Sequence, residues 1–325
     1  MAVGNVAIPN TIYPIDGIKL SATAAGVRYK DRDDLVVMEI ADSANTAVVT
    51  TKNTFCAAPV RVLREHFAKA SPRYLITNTG NANAGTGADG KRRAVDICSA
   101  LAAKAGVDVS TVLPFSTGVI GEPLNSDAVI AGLDNALANL AADNWLAAAN
   151  GIRTTDTIPK LASEKVDVDA ISYHITGMSK GSGMIRPNMA TMLGYVATDA
   201  NIAADLLQEM LSKINEQSFN RITVDGDTST NDCCVLIATG TASSDIIDSP
   251  EHPHYQPIFD ALNSVFVRLA QLIVRDGEGA TKFMTVKVTG GNTTQECCDV
   301  AYAVAHSPLV KTAFFASDAN WGRIL

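Results

Sequence analysis

The chain has 325 residues, room for one large or two ordinary domains around a substantial buried core. Hydrophobic residues make up 47% and charged residues 18%, a balance that excludes a disordered or highly solvated chain. The formal net charge of −8, with no long Lys/Arg cluster, argues against nucleic-acid binding while leaving room for one small basic pocket for a carboxylate.

Taken in chain order, apolar and β-branched runs predict strands over residues 35–40, 46–50 and 74–78. Helical periodicity follows over 94–105, where Val95, Cys98, Leu101 and Ala102 share a face. A strand is expected over 112–116, then an Ala/Leu-rich helix over 126–149 behind a cap at Asn125 or Ser126. Strands over 172–177 and 192–197 precede a strong helix over 203–219, and strands over 222–225 and 234–238 come next. A second strong helix covers 258–275 with Gly277 as its stop signal. A strand over 283–288 and a weaker helix over 295–305 end the series. Strands and helices mix without strict alternation, which favours an α+β class over a doubly wound sheet.

No uninterrupted apolar run reaches the roughly 18–20 residues of a membrane span. The first residues also lack the basic and then apolar regions of a secretory signal. A cytoplasmic enzyme with no membrane partner is the simplest reading. Cys233–Cys234 and Cys297–Cys298 are adjacent pairs, and neighbours on a strand point to opposite faces, so they read as reduced thiols rather than a metal site. His252 and His254 flank a proline in a polar stretch and read as part of a solvated turn.

Two glycine-rich segments imitate familiar sites. Gly85-Thr-Gly-Ala-Asp-Gly90-Lys91 fits the start of a phosphate-binding loop, but Arg92 stands where that loop needs Ser or Thr. Asp225-Gly-Asp227-Thr-Ser-Thr-Asn231-Asp232 has the composition of a calcium loop, with its glycine misplaced and its final Glu missing. Both read as conformationally special turns.

The segment Lys180-Gly-Ser-Gly-Met-Ile-Arg-Pro-Asn-Met-Ala190-Thr191-Met-Leu carries more chemistry: a glycine loop running into an apolar strand, with a threonine at the junction. A hydroxyl at Thr191 can attack the Ala190 carbonyl and shift the acyl group from nitrogen to oxygen. Hydrolysis of that ester frees an α-amine on Thr191. Its ordinary pKa of about 7.7–8 lets it accept the hydroxyl proton, so one residue supplies both nucleophile and base.

Ordered blocks along the chain resemble the bacterial ornithine acetyltransferase family, the glutamate N-acetyltransferases of arginine biosynthesis. They are Ile15-Asp-Gly17, Thr77-Asn-Thr-Gly-Asn-Ala-Asn-Ala-Gly-Thr-Gly87, Pro114-Phe-Ser-Thr117-Gly118-Val-Ile-Gly, Thr154-Thr-Asp-Thr157, Lys180–Leu193, Val224–Asp232 and Asp318-Ala-Asn-Trp-Gly-Arg323. The resemblance implies a layered α+β sandwich like that of the N-terminal-nucleophile enzymes, with a smaller α/β unit in the second chain. It implies cleavage at Ala190–Thr191 into an alpha chain, 1–190, and a beta chain, 191–325, assembled as a heterotetramer of two alpha and two beta chains.

By the same resemblance Thr191 is the nucleophile, Thr117 and Gly118 stabilise the oxyanion, and Thr154, Lys180 and Glu278 join Thr191 in binding substrate. Lys180 suits an α-carboxylate and Glu278 a substrate ammonium. The implied reaction passes acetyl from N2-acetylornithine to Thr191 and then to glutamate, giving ornithine and N-acetylglutamate. No cofactor or metal is implied, although acetyl-CoA serves some members as acetyl donor. Family members continue well beyond their Asn-Trp-Gly-Arg block, whereas this sequence stops at Leu325, so the expectation is a chain lacking the family's C-terminal segment. The competing expectations are a self-processing amidohydrolase or aminopeptidase of the same superfamily, and an inactive truncated subunit.

Overall fold

The computed structural model describes residues 2–4, 6–186, 192–243 and 245–325. The chain opens with β1 (Ile18–Thr23), β2 (Leu35–Ile40) and β3 (Asn45–Thr50), followed by α1 (Ala58–Phe67), β4 (Tyr74–Asn81) and α2 (Gly87–Ala105). Next come β5 (Val112–Val119), α3 (Ser126–Ala138), α4 (Trp145–Gly151) and the hairpin of β6 (Lys160–Val168) and β7 (Ile171–Lys180). β8 (Leu193–Thr198), α5 (Ala204–Gln217), β9 (Cys233–Ala238) and the long α6 (Tyr255–Arg275) follow. α7 (Thr294–His306) and α8 (Pro308–Phe315) lie nearest the C-terminus.

The strands form two sheets, ordered β1-β2-β4-β5 and β3-β9-β8-β7-β6. Each is antiparallel except for one parallel pair, β4 with β5 and β8 with β9. The two-residue period of a strand sends Val36, Met38 and Ile40 to one face of β2 and Leu35 and Val37 to the other. The first set meets Leu193, Tyr195 and Ala197 of β8 and Val235 and Ile237 of β9 in a core between the sheets. The second set packs on Ile97 and Leu101 of α2 and Val129 and Leu133 of α3. On the far side, Ile175, Val196 and Leu236 pack against Leu207 and Leu211 of α5 and Leu262, Phe266 and Leu269 of α6. The molecule is therefore a helix–sheet–sheet–helix sandwich, the layered α+β class expected from the sequence.

Length and hydropathy alone would let α6 cross a membrane. Its stripe Ile258, Leu262, Phe266, Leu269 and Ile273 instead fills the core under the five-stranded sheet, which makes it a core helix.

Several expected elements differ. The single helix over 126–149 is two helices, because residues 139–144 leave the helix to bridge the edge of β1. Ala141 exchanges backbone hydrogen bonds of 2.9 and 3.0 Å with Leu20, and the Asn144 amide donates to Leu20 O at 2.9 Å. Residues 222–225 are not a strand; they come after a 3-10 turn at Phe219–Arg221. Residues 283–288 have strand-like alternation but pair with no strand among the described residues, so Met284 and Val286 stay exposed. β1, β6 and α1 escape the sequence pattern. β6 is an edge strand whose outer half is polar, and α1 begins at Ala57–Pro59 without a side-chain cap.

Candidate active site

Strand ends from both sheets converge at one place. β7 ends at Lys180, which pairs with Leu193 at the start of β8, and the Cys233 N–H extends the β8–β9 pairing by donating to Met192 O at 3.0 Å. From the opposite sheet, β5 ends in Thr117–Gly118–Val119. Lys180 Nζ spans the gap and donates to Thr117 Oγ1 at 3.0 Å.

The Thr117–Gly118 corner is a bulge, with Asn81 facing both Thr117 and Val119 across the β4–β5 pair. Gly118 has φ +135°, and a Cβ there would lie 2.3 Å from Gly80 C and 2.5 Å from Asn81 N. Only glycine fits so close a backbone approach. Beneath it the Asn231 amide donates to Ala82 O at 2.6 Å and Ser116 O at 2.9 Å, holding the corner against the start of β9. Thr117 is buried while Gly118 is exposed, so a fixed hydroxyl lies next to an accessible backbone unit.

Around Lys180 the charges are buried and mutually arranged. Asp156 Oδ1 accepts from Lys160 Nζ at 2.5 Å and Gly181 N at 2.7 Å, and its Oδ2 accepts from Thr154 N at 3.0 Å. Burial alone would raise Asp156, but Lys180, Lys160 and the Gly181 N–H together outweigh it and hold the carboxyl well below the usual range. Burial lowers the Lys180 ammonium from the ordinary lysine range; Asp156, Asp232 and Glu278 oppose that shift and Lys160 reinforces it. Asp232 is pushed far up by burial, against the pull of Ser229 and Lys180, and its Oδ2 has no hydrogen-bond partner among the described residues.

Glu278 lies three residues past the end of α6, and its N–H donates to Ser182 O at 2.8 Å. Its carboxyl occupies the space over Gly183, where an added Cβ would come within 2.7 Å of it. The structure thus brings together Thr117, Gly118, Thr154, Lys180 and Glu278. Ala190 and Thr191 lie outside the described residues.

Sequence pattern does not single out Asp156, Lys160, Asp232 or Asp276 as members of this cluster. Asp156 and Asp232 sit inside the recognised blocks, whereas Lys160 opens the edge strand β6 and signals nothing locally. The calcium-like segment has another use: Asp225 accepts from Met184 N at 2.6 Å and Ile185 N at 2.9 Å, pinning the glycine loop after Lys180. Lys91 of the phosphate-loop mimic is paired with Glu65 of α1 at 2.6 Å.

The chain resembles known proteins over most of its length. The ArgJ family model matches residues 19–325. The arginine biosynthesis bifunctional protein ArgJ of Psychrobacter arcticus is 90% identical over all 325 residues, which span 80% of that protein. Among solved structures, the arginine biosynthesis bifunctional protein argJ of Bacillus halodurans matches with a TM-score of 0.50 at 32% identity, over 54% of this chain and 92% of that one. The PH0078 protein of Pyrococcus horikoshii shares the fold at 12% identity, with a TM-score of 0.51 over 84% of this chain and 91% of that one.

Proposed function

Since the chain belongs to the ArgJ family, we propose a residue-level route by which it moves an acetyl group from N2-acetylornithine to glutamate. The bond between Ala190 and Thr191 breaks first, by attack of the Thr191 hydroxyl on the Ala190 carbonyl and hydrolysis of the resulting ester. The free α-amine of Thr191 then takes the proton from its own hydroxyl as that oxygen attacks the acetyl carbonyl of N2-acetylornithine. The negative oxygen of the tetrahedral intermediate is held by Thr117 and Gly118. Collapse expels ornithine, its nitrogen taking up the proton, and leaves acetyl on Thr191. The amine of glutamate attacks that ester and leaves as N-acetylglutamate, restoring the hydroxyl. Acetyl-CoA is a second acetyl donor to test at the same nucleophile.

The observation that supports this assignment best is the Lys180–Thr117 hydrogen bond. A hydroxyl that accepts from an ammonium keeps its own O–H free, and polarised, to donate to an oxyanion. The same ammonium is a counter-charge for the substrate α-carboxylate, with Thr154 beside it and Glu278 available to a substrate ammonium. Anchor and oxyanion donor therefore share one hydrogen bond, which sets the carboxylate and the reacting carbonyl in a defined relation.

The sheet order bears on the fate of the cleaved chain. β3, β6 and β7 precede the Ala190–Thr191 bond and β8 and β9 come after it, yet all five lie in one sheet with β9 and β8 between the others. The products 1–190 and 191–325 are expected to stay together, and to pair further as a heterotetramer in the cytoplasm. Intact mass with an acetyl-transfer assay tests the reading. Two polypeptides and glutamate-dependent formation of N-acetylglutamate are expected, with both lost in Thr191→Ala. One stable uncleaved chain, or loss of acetylornithine without N-acetylglutamate, would reject it.

A further inference from the structure

Lys160 is fully buried, takes no direct part in the route above, and ties together the segments on which that route depends. Its Nζ donates to Asp156 Oδ1 at 2.5 Å and to Asp276 Oδ2 at 2.7 Å. Each carboxylate then gathers one side of the site. Asp156 accepts from Thr154 N and Gly181 N, next to Lys180. Asp276 accepts from Thr157 N at 2.9 Å and from the Thr157 hydroxyl, while its own carbonyl accepts from Ser182 Oγ at 2.6 Å. Asp276 caps α6 and stands two residues before Glu278.

Three segments remote in sequence, 154–158, 180–183 and 276–278, therefore meet at one ammonium. Each carries one substrate-binding residue of the proposed route: Thr154, Lys180 and Glu278. We propose that Lys160 is a positioning residue for acyl transfer, setting the spacing between the carboxylate anchor and the ammonium acceptor through Asp156 and Asp276. The assignment rests on the acyl-transfer reading for its consequence in catalysis, and on the hydrogen bonds alone for its consequence in structure.

The physical reason is charge. Without Lys160, Asp156 and Asp276 are two buried carboxylates that have lost a shared counter-ion, and Lys180 alone must compensate Asp156. Each carboxylate is then free to move away from the backbone N–H groups it orders in its segment. Lys180 would be drawn toward Asp156 and away from Thr117, and Glu278 would lose its fixed relation to both. The other groups acting on Lys180, namely Asp232 and Glu278, are carboxyls and supply no counter-charge to Asp156 or Asp276.

The test uses the full chain with Lys160→Met and, in case that variant does not fold, the charge-balanced Lys160→Met/Asp276→Asn. Amide hydrogen exchange is read across the three segments together with KM and kcat for N2-acetylornithine. Protection is expected to fall at least roughly tenfold in all three segments while β8, β9 and α5 keep theirs. KM is expected to rise roughly tenfold with kcat changed by less than about threefold, the signature of misplaced substrate anchors. Unchanged protection in the three segments, or a KM like that of the parent in a folded variant, would overturn the assignment. A parent protein that exchanges normally but transfers no acetyl would instead reject the acyl-transfer reading, and the exchange comparison would still decide the role of Lys160.

Discussion

In the proposed route, the hydrogen bond between Lys180 and Thr117 joins substrate binding to chemistry. Thr117→Val keeps the shape and removes the hydroxyl, so kcat is expected to fall about 100- to 1,000-fold, the usual cost of one oxyanion donor. Steady-state kinetics on a cleaved, folded variant check this. Lys180 makes a second prediction through pH. Burial lowers its ammonium from the ordinary lysine range, so the charge proposed to pair with a substrate carboxylate is lost at a lower pH than for an exposed lysine. KM for N2-acetylornithine is therefore expected to rise on the alkaline side before pH 10.5, the ordinary value, is reached. Asp156 behaves oppositely. Its carboxyl is held low, so its contribution to stability is present above the ordinary aspartate range and is lost only as pH falls through its depressed value.

Among the elements, the β4–β5 bulge is the most constrained. Gly118→Ala would place a Cβ against the backbone of Gly80 and Asn81 at a φ of +135° that other residues rarely adopt. A loss of about 3 kcal/mol or more is expected from strain and backbone displacement, read as a lower urea midpoint together with lost transfer. The edge contact of β1 has a milder lesson. The Ala-rich sequence of 126–149 has helical propensity throughout, but the Asn139 and Asn144 side chains bond backbone carbonyls there and Leu20 offers partners to Ala141 and Asn144. Residues 283–288 make the converse case: with no partner strand among the described residues, β-propensity alone produces no strand there, because ladder hydrogen bonds need a second chain segment.

Over the whole molecule, the two sheets share one core, and Thr77 Oγ1 meets Tyr195 OH at 2.8 Å across it. The proposed cleavage leaves β8 and β9 wedged between strands of the other product, so native mass spectrometry is expected to find 1–190 and 191–325 together, separating only on denaturation. Free chains under native conditions would contradict that expectation. Much of the architecture is legible in the sequence. Strands such as 35–40 and helices such as 258–275 bury one regular face, and their period is written locally in the residues. The Thr117–Gly118, Lys180 and Glu278 assignments come from the resemblance to the family, carried by its ordered blocks. Lys160, Asp232 and Asp276 are not legible as a site, because a buried charge is defined by the partners that surround it, and those lie far along the chain: Lys160 and Asp276 are 116 residues apart. Local pattern and shared blocks thus determined the α+β class and the family. Only the tertiary structure decided which sheet ends meet at Lys180 and which carboxylates share Lys160, since hydrogen bonds and burial act through space while sequence pattern records only neighbours along the chain.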